Sequence, residues 1–166
     1  MKYRLNVWGG SDVKALSSNI EGKIPAGEYY IISLQSGKAL DAANNTLLQP
    51  AIQWGFHGSA LQQWELIDKG NYYLIKSVAF GNVLHTMDGS KNNGATIMRY
   101  TNFNGANAAQ KWTLEKAGYN AFEIKNVWSG KYLDLSGSSY ANGGTMAQWD
   151  RNFKDNQKWL FYPVSN

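Results

Sequence analysis

His57 and His85 are the two histidines of the chain; they stand far apart in sequence, and there is no cysteine to join them. Thiolate chemistry and disulfides are therefore excluded. No zinc motif, nucleophile elbow or phosphate-cradling glycine loop occurs, so neither a metal nor a cofactor is expected. Glu28, Glu65, Glu115 and Glu123 fall at strand positions with no evident carboxylate partner, and no glycosidase acid/base pair can be nominated from them. The segment Asp88-Gly89-Ser90-Lys91-Asn92 has a trace of a calcium loop, but it lacks the terminal bidentate glutamate and reads as a polar turn. What remains is non-covalent chemistry. Asp41 and Asp134 each close a Leu-Asp pair, with Trp54 and Trp149 downstream. A carboxylate accepts hydrogen bonds, an aromatic face takes up apolar ligand surface, and asparagine and glutamine amides both donate and accept. The same aspartates could equally cap turns.

These residues recur in a frame. Gln62-Gln63-Trp64, Gln110-Lys111-Trp112 and Gln157-Lys158-Trp159 follow one another at spacings of 48 and 47 residues. Trp54 stands ten residues before Trp64, as Trp149 stands ten before Trp159. A fixed period is the primary fact about such a chain. Each copy opens on an aromatic-rich run: Tyr29-Tyr30-Ile31-Ile32, Tyr72-Tyr73-Leu74-Ile75, and Ala121-Phe122-Glu123-Ile124. Tyr30, Tyr73 and Phe122 are aligned as equivalents, as are Ile32, Ile75 and Ile124, each pair two apart on one strand face. Glycine turns at Gly37, Gly81 and Gly130 follow, then short strands ending at Leu40-Asp41, Leu84-His85 and Leu133-Asp134. A third strand carries Trp54, Tyr100 or Trp149, and the triplet opens a fourth, closed by Leu66, Leu114 or Phe161. Four short strands per repeat between Gly/Asn-rich turns give an all-β pattern. No segment sustains a helical period, and a propeller needs at least four blades. Three units unable to bury their faces alone should close on a common threefold axis.

Composition narrows the partners. Sixteen basic residues against 12 acidic give a net charge of +4, but they are scattered, which does not make a nucleic-acid footprint. Nothing approaches a membrane span, and residues 1–25 hold no apolar run of signal-peptide length. Cytoplasmic accumulation and secretion both stay open; Asn44-Asn45-Thr46 is a glycosylation sequon only in a eukaryotic secretory pathway. Residues 1–25 lie outside the repeat, with a strand expected over Lys2 to Trp8 and a short helix, capped at Ser11-Asp12, through Leu16. One domain is expected over 26–163, with repeats at about 27–67, 70–115 and 118–162.

The triplets, with their aromatic, glycine-turn and Leu-Asp landmarks, resemble the ricin-type β-trefoil lectins, the Gln-x-Trp repeat family, over roughly 27–162. The resemblance implies a β-trefoil with up to three shallow sites for galactose, lactose or N-acetylgalactosamine, and glycans bearing terminal galactose or N-acetylgalactosamine as partners. It also implies that Trp64, Trp112 and Trp159 are buried structural residues. Sugar contacts are implied for the aspartate ending the second strand, the aromatic of the third, and the asparagine just before the triplet. The third repeat has every part: Asp134, Trp149, Asn156 and Gln157. The first keeps Asp41, Trp54 and Gln62 but has Leu61 for the asparagine, so it should be weaker. The second has His85, Tyr100 and Ala109, with a loop two residues longer, and should be inactive or altered in specificity. Trp128 could widen the third site or simply pack. The chain is thus read as a non-enzymatic lectin, with a polysaccharide-targeting module of a larger protein or a trefoil protease inhibitor as alternatives. Homodimerisation stays open.

Overall fold

A computed structural model of the protein describes residues 24–118 and 120–164, together with strands β1 (Arg4–Leu5) and β2 (Val13–Lys14). The other strands are β3 (Gly27–Ser33), β4 (Ala39–Asp41), β5 (Ile52–Trp54), β6 (Trp64–Asp68), β7 (Tyr73–Ser77), β8 (Val83–Thr86) and β9 (Ile97–Tyr100). They continue with β10 (Trp112–Lys116), β11 (Phe122–Asn126), β12 (Tyr132–Leu135), β13 (Met146–Trp149) and β14 (Trp159–Pro163). Among the described residues the only helices are single 3-10 turns.

Six strands close on themselves in the order β3, β6, β7, β10, β11, β14 and back to β3. Closure leaves this barrel without a free edge. The hairpins β4–β5, β8–β9 and β12–β13 cover one end and touch one another through the bridges Pro50–Met98, Ile52–Thr145 and Thr96–Ala147. This is the threefold architecture of a β-trefoil. Each triplet tryptophan begins a barrel strand, fully buried, and its indole N–H donates to a leucine carbonyl of its own repeat. Trp64 reaches Leu40 at 2.9 Å, Trp112 reaches Leu84 at 3.2 Å and Trp159 reaches Leu133 at 3.3 Å. The indole thus fills the core and pins the hairpin that carries the next functional residue.

The expected core alignment is wrong by one residue in the first repeat. Tyr29, not Tyr30, stands opposite Trp64, just as Tyr73 stands opposite Trp112 and Phe122 opposite Trp159. Tyr29 and Ile31 join Trp64, Leu66, Tyr73, Ile75, Phe122 and Ile124 in the central core, with Leu114 packed at its margin. Tyr30 and Ile32 point the other way, into a second cluster with Ala39, Ala121, Leu160 and Tyr162. A strand alternates faces, so a shift of one exchanges the entire set.

At the start of the chain, β1 lies within the strand expected over Lys2 to Trp8. The helix expected through Leu16 is contradicted at Val13–Lys14, which pairs antiparallel with β1. The rest of both expectations lies outside the described residues.

Sequence reasoning missed three buried polar side chains, Gln53, Arg99 and Gln148, which sit between the repeats. Gln53 donates to the carbonyls of Ser139 and Ala141, and Gln148 to those of Ser90 and Asn92. Arg99 donates to the carbonyls of Asn44 and Thr46 and to Asn82 Oδ1. Each third strand therefore holds a loop of a neighbouring repeat. Burial lowers the pKa of Arg99 from its ordinary value. Arg99→Ala should leave the buried Asn82 Oδ1 without its donor and release the loop carbonyls of Asn44 and Thr46, at a cost of about 1–3 kcal/mol, read as a lower urea midpoint. An unchanged midpoint would refute the stapling role.

Candidate functional site

In the third repeat, β12 and β13 pair so that Asp134 faces Ala147, and Trp149, two residues on, lies diagonally across on the same face. Asp134 is 6% exposed, yet its carboxylate is well supported. Oδ2 accepts from Gln157 Nε2 at 2.9 Å and from Asn156 Nδ2 at 3.1 Å. Among the described residues nothing donates to Oδ1. Burial pushes the Asp134 carboxyl up from its usual range, against the lowering effect of the Gln157 and Asn156 hydrogen bonds. Trp149 is 47% exposed. A loop of the second repeat backs it: a Cβ on Gly94, whose φ is +85°, would stand 3.3 Å from the Trp149 ring. That loop is held by reciprocal bonds between Asn93 and Asp150. The arrangement is a supported carboxylate with an open oxygen beside a half-exposed ring.

Two of the expected residues act from beneath. Gln157 has no exposure; its Nε2 also donates to the Asp150 carbonyl and its Oε1 accepts from the Asn152 amide. Asn156 is buried and spends its Nδ2 on Asp134 and the Leu135 carbonyl, while its Oδ1 accepts from Asn152. Both position the aspartate.

The first repeat copies this frame with different supports. Asp41 faces Ile52 across β4–β5, with Trp54 two residues on and 43% exposed, and Gly143 of the third repeat lies against its ring. The fully buried Gln62 donates to Asp41 Oδ2 at 3.0 Å. Asp41 Oδ1, unlike that of Asp134, accepts from the Ala43 amide at 2.7 Å, so turn capping is part of its work. His57 Nε2 stands 3.4 Å from Oδ2, and Leu61 lines the hollow where the asparagine is missing.

The second repeat is differently built. His85 stacks obliquely on Tyr100, with ring centroids 5.3 Å apart, and Tyr100 adjoins Phe103 of the longer loop at 6.0 Å. Gln110 has no carboxylate to hold and donates to the Thr101 carbonyl. Trp128 belongs here rather than to the third site. Its indole N–H donates to the Gly89 carbonyl at 2.6 Å, Lys91 Nζ lies 4.0 Å from its ring centre, and it walls a hollow with Asp88 and Phe103.

The glutamates also differ from expectation. Glu115 stands directly opposite Glu123, and Glu28 opposite Glu65, because the barrel register brings these strands together. Three of the four are occupied: Arg151 holds Glu123 in a two-pronged ion pair, Tyr132 Oη donates to Glu115, and Lys76 pairs with Glu65. Tyr132 has its pKa pushed up to about 12 by burial and its glutamate neighbour.

Comparison with known proteins agrees with this geometry. A family model described as ricin-type beta-trefoil lectin domain-like matches residues 16–100 and 108–166. The designed threefold-symmetric protein ThreeFoil superposes with a TM-score of 0.79 at 30% identity, over 83% of this chain and 99% of that one. An exo-β-1,3-galactanase from Clostridium thermocellum gives 0.78 at 30% identity, over 87% of this chain and 32% of that one. The ricin B-like lectin of Macrolepiota procera, in complex with lactose, gives 0.74 at 21% identity, over 86% and 100%. Sequence comparison with the curated proteins gives no match.

Proposed function

We propose, for a chain that belongs to the ricin-type β-trefoil lectin-like family, a role in binding galactose-type sugars without transforming them. The observation that supports it is Asp134, held at Oδ2 by two buried amides and open at Oδ1, beside half-exposed Trp149. Galactose offers adjacent hydroxyls that a carboxylate accepts together and an apolar C–H face that lies on an indole. Lactose, bound by the Macrolepiota procera lectin of the same fold, presents such a terminal galactose. Asp41 and Trp54 form a second, weaker site, since Asp41 Oδ1 is already engaged and Leu61 offers no hydrogen bond. Two shallow sites on one chain suit clustered glycans through effective concentration.

A second reading rests on the galactanase, whose 32% covered by this chain is part of a larger enzyme. On that reading the domain targets a polysaccharide for a catalytic partner. A glycan array separates the two. Retention on terminal galactosides or N-acetylgalactosamine supports the lectin, retention on galactan, xylan or arabinan alone supports the targeting module, and silence on all of them refutes both.

The burial of Asp134 yields a prediction in which binding and stability part company. Its folded pKa is raised, so the ionised form costs stability in full above that pKa; the cost shrinks as pH falls through it and is gone below the ordinary aspartate pKa. Sugar binding needs the ionised form and should therefore fade on acidification at a higher pH than an ordinary aspartate would give. Asp134→Asn should melt at or above the parent's temperature at neutral pH while losing binding. A clear drop in melting temperature would contradict this account of the site.

A further inference from the structure

The second repeat departs from the other two in a consistent direction. Its hollow of about 520 Å³ is lined by Leu48, His85, Asp88, Met98, Tyr100 and Phe103, and it adjoins the groove walled by Trp128. The carboxylate that ends the second strand elsewhere is here an imidazole, 6% exposed; among the described residues neither ring nitrogen has a hydrogen-bond partner, and since Nδ1 is sealed from solvent, Nε2 is the nitrogen open to the hollow. Burial also lowers the pKa of His85, so the ring facing the hollow is neutral. Where Gly94 and Gly143 leave room beside the other aromatics, Leu48 occupies the corresponding place with φ +67°, and it is 52% exposed. Phe103, from the longer loop, is 43% exposed.

We infer that this hollow is a separate site for a small hydroxylated aromatic molecule, a phenol-like ligand. A neutral imidazole cannot accept two hydroxyls at once as a carboxylate does, so the pattern that suits a hexose is gone. One hydroxyl suffices for it: it can donate to a bare ring nitrogen or accept from a protonated one. Tyr100 and Phe103 present flat apolar faces to an aromatic body, and Leu48 adds an aliphatic wall. Asp88 and Asn107 are the other polar residues at the rim. This site is independent of Asp134 and Trp149.

2-Naphthol is a suitable probe, with naphthalene as its counterpart lacking the hydroxyl; each is titrated into the full chain by its own fluorescence. 2-Naphthol should saturate one site and bind about tenfold more tightly than naphthalene, the worth of one sheltered hydrogen bond. His85→Leu should abolish that preference, leaving the two probes equal. Phe103→Ala, a change at a half-exposed residue that leaves the core intact, should weaken both. Asp134→Ala should alter neither, which keeps the result separate from the fate of the sugar site. Equal binding of the two probes to the parent, no effect of Phe103→Ala, or displacement of 2-naphthol by galactose would each overturn the proposal.

Discussion

Trp112→Ala is expected to lower the stability of the protein by about 3–5 kcal/mol, the range for a large aromatic removed from a well-packed core. Trp112 has no exposure and packs in the cluster shared by all three repeats. Its loss removes apolar burial, leaves a cavity in a closed barrel that cannot collapse around it, and frees the Leu84 carbonyl that its indole N–H satisfies. Trp112 is also the residue of β10 that pairs with Tyr73 of β7, joining the first and last strands of the second repeat. The cost should therefore appear as loss of the whole cooperative transition in urea, with circular dichroism and tryptophan fluorescence falling together. A midpoint within experimental error of the parent would remove the threefold-core account.

Trp149→Ala is expected to reduce sugar binding by about tenfold or more at its site while leaving the melting temperature unchanged. Covering one hexose face on an indole removes on the order of 60 Å² of apolar surface from water, about 1.5 kcal/mol, before any specific ring contact is counted. The fold should not notice, because Trp149 is 47% exposed and touches the neighbouring loop at its edge near Gly94. Trp54→Ala should have the smaller effect, seen mainly as reduced avidity on a multivalent surface. Loss of folding on Trp149→Ala would show that the ring is a structural prop and not a binding platform.

The fold was legible because the triplet tryptophans, the glycine turns and the Leu-Asp pairs are local signals tied to one geometry. The one-residue error at Tyr30 and Ile32 shows where local reading fails. Two adjacent tyrosines and two adjacent isoleucines in β3 satisfy either strand face, so apolar character alone does not choose between them. The glycine turns do: Ile31 precedes Gly37 by the same six residues that separate Ile75 from Gly81 and Ile124 from Gly130. The candidate site was legible in its aspartates and exposed tryptophans. Its support was not, because Gln53, Arg99 and Gln148 bond to carbonyls more than fifty residues away. Nor does sequence separate an asparagine that touches ligand from one, like Asn156, whose amide is spent on Asp134. The apolar walls that Leu48 and Phe103 give the hollow of the second repeat come from loops that only the closed barrel brings together.

The central claim is that Asp134 is the acceptor of a galactose-type sugar. Its most direct test is a calorimetric titration of lactose into the parent protein and into Asp134→Ala, with both folds verified by melting. A single shallow site should give a dissociation constant of about 0.1–1 mM for the parent, or roughly −4 to −5.5 kcal/mol. Asp134→Ala should lose most of that heat and retain only the weaker site at Asp41. If the variant binds lactose as the parent does, the assignment of the site to Asp134 is wrong.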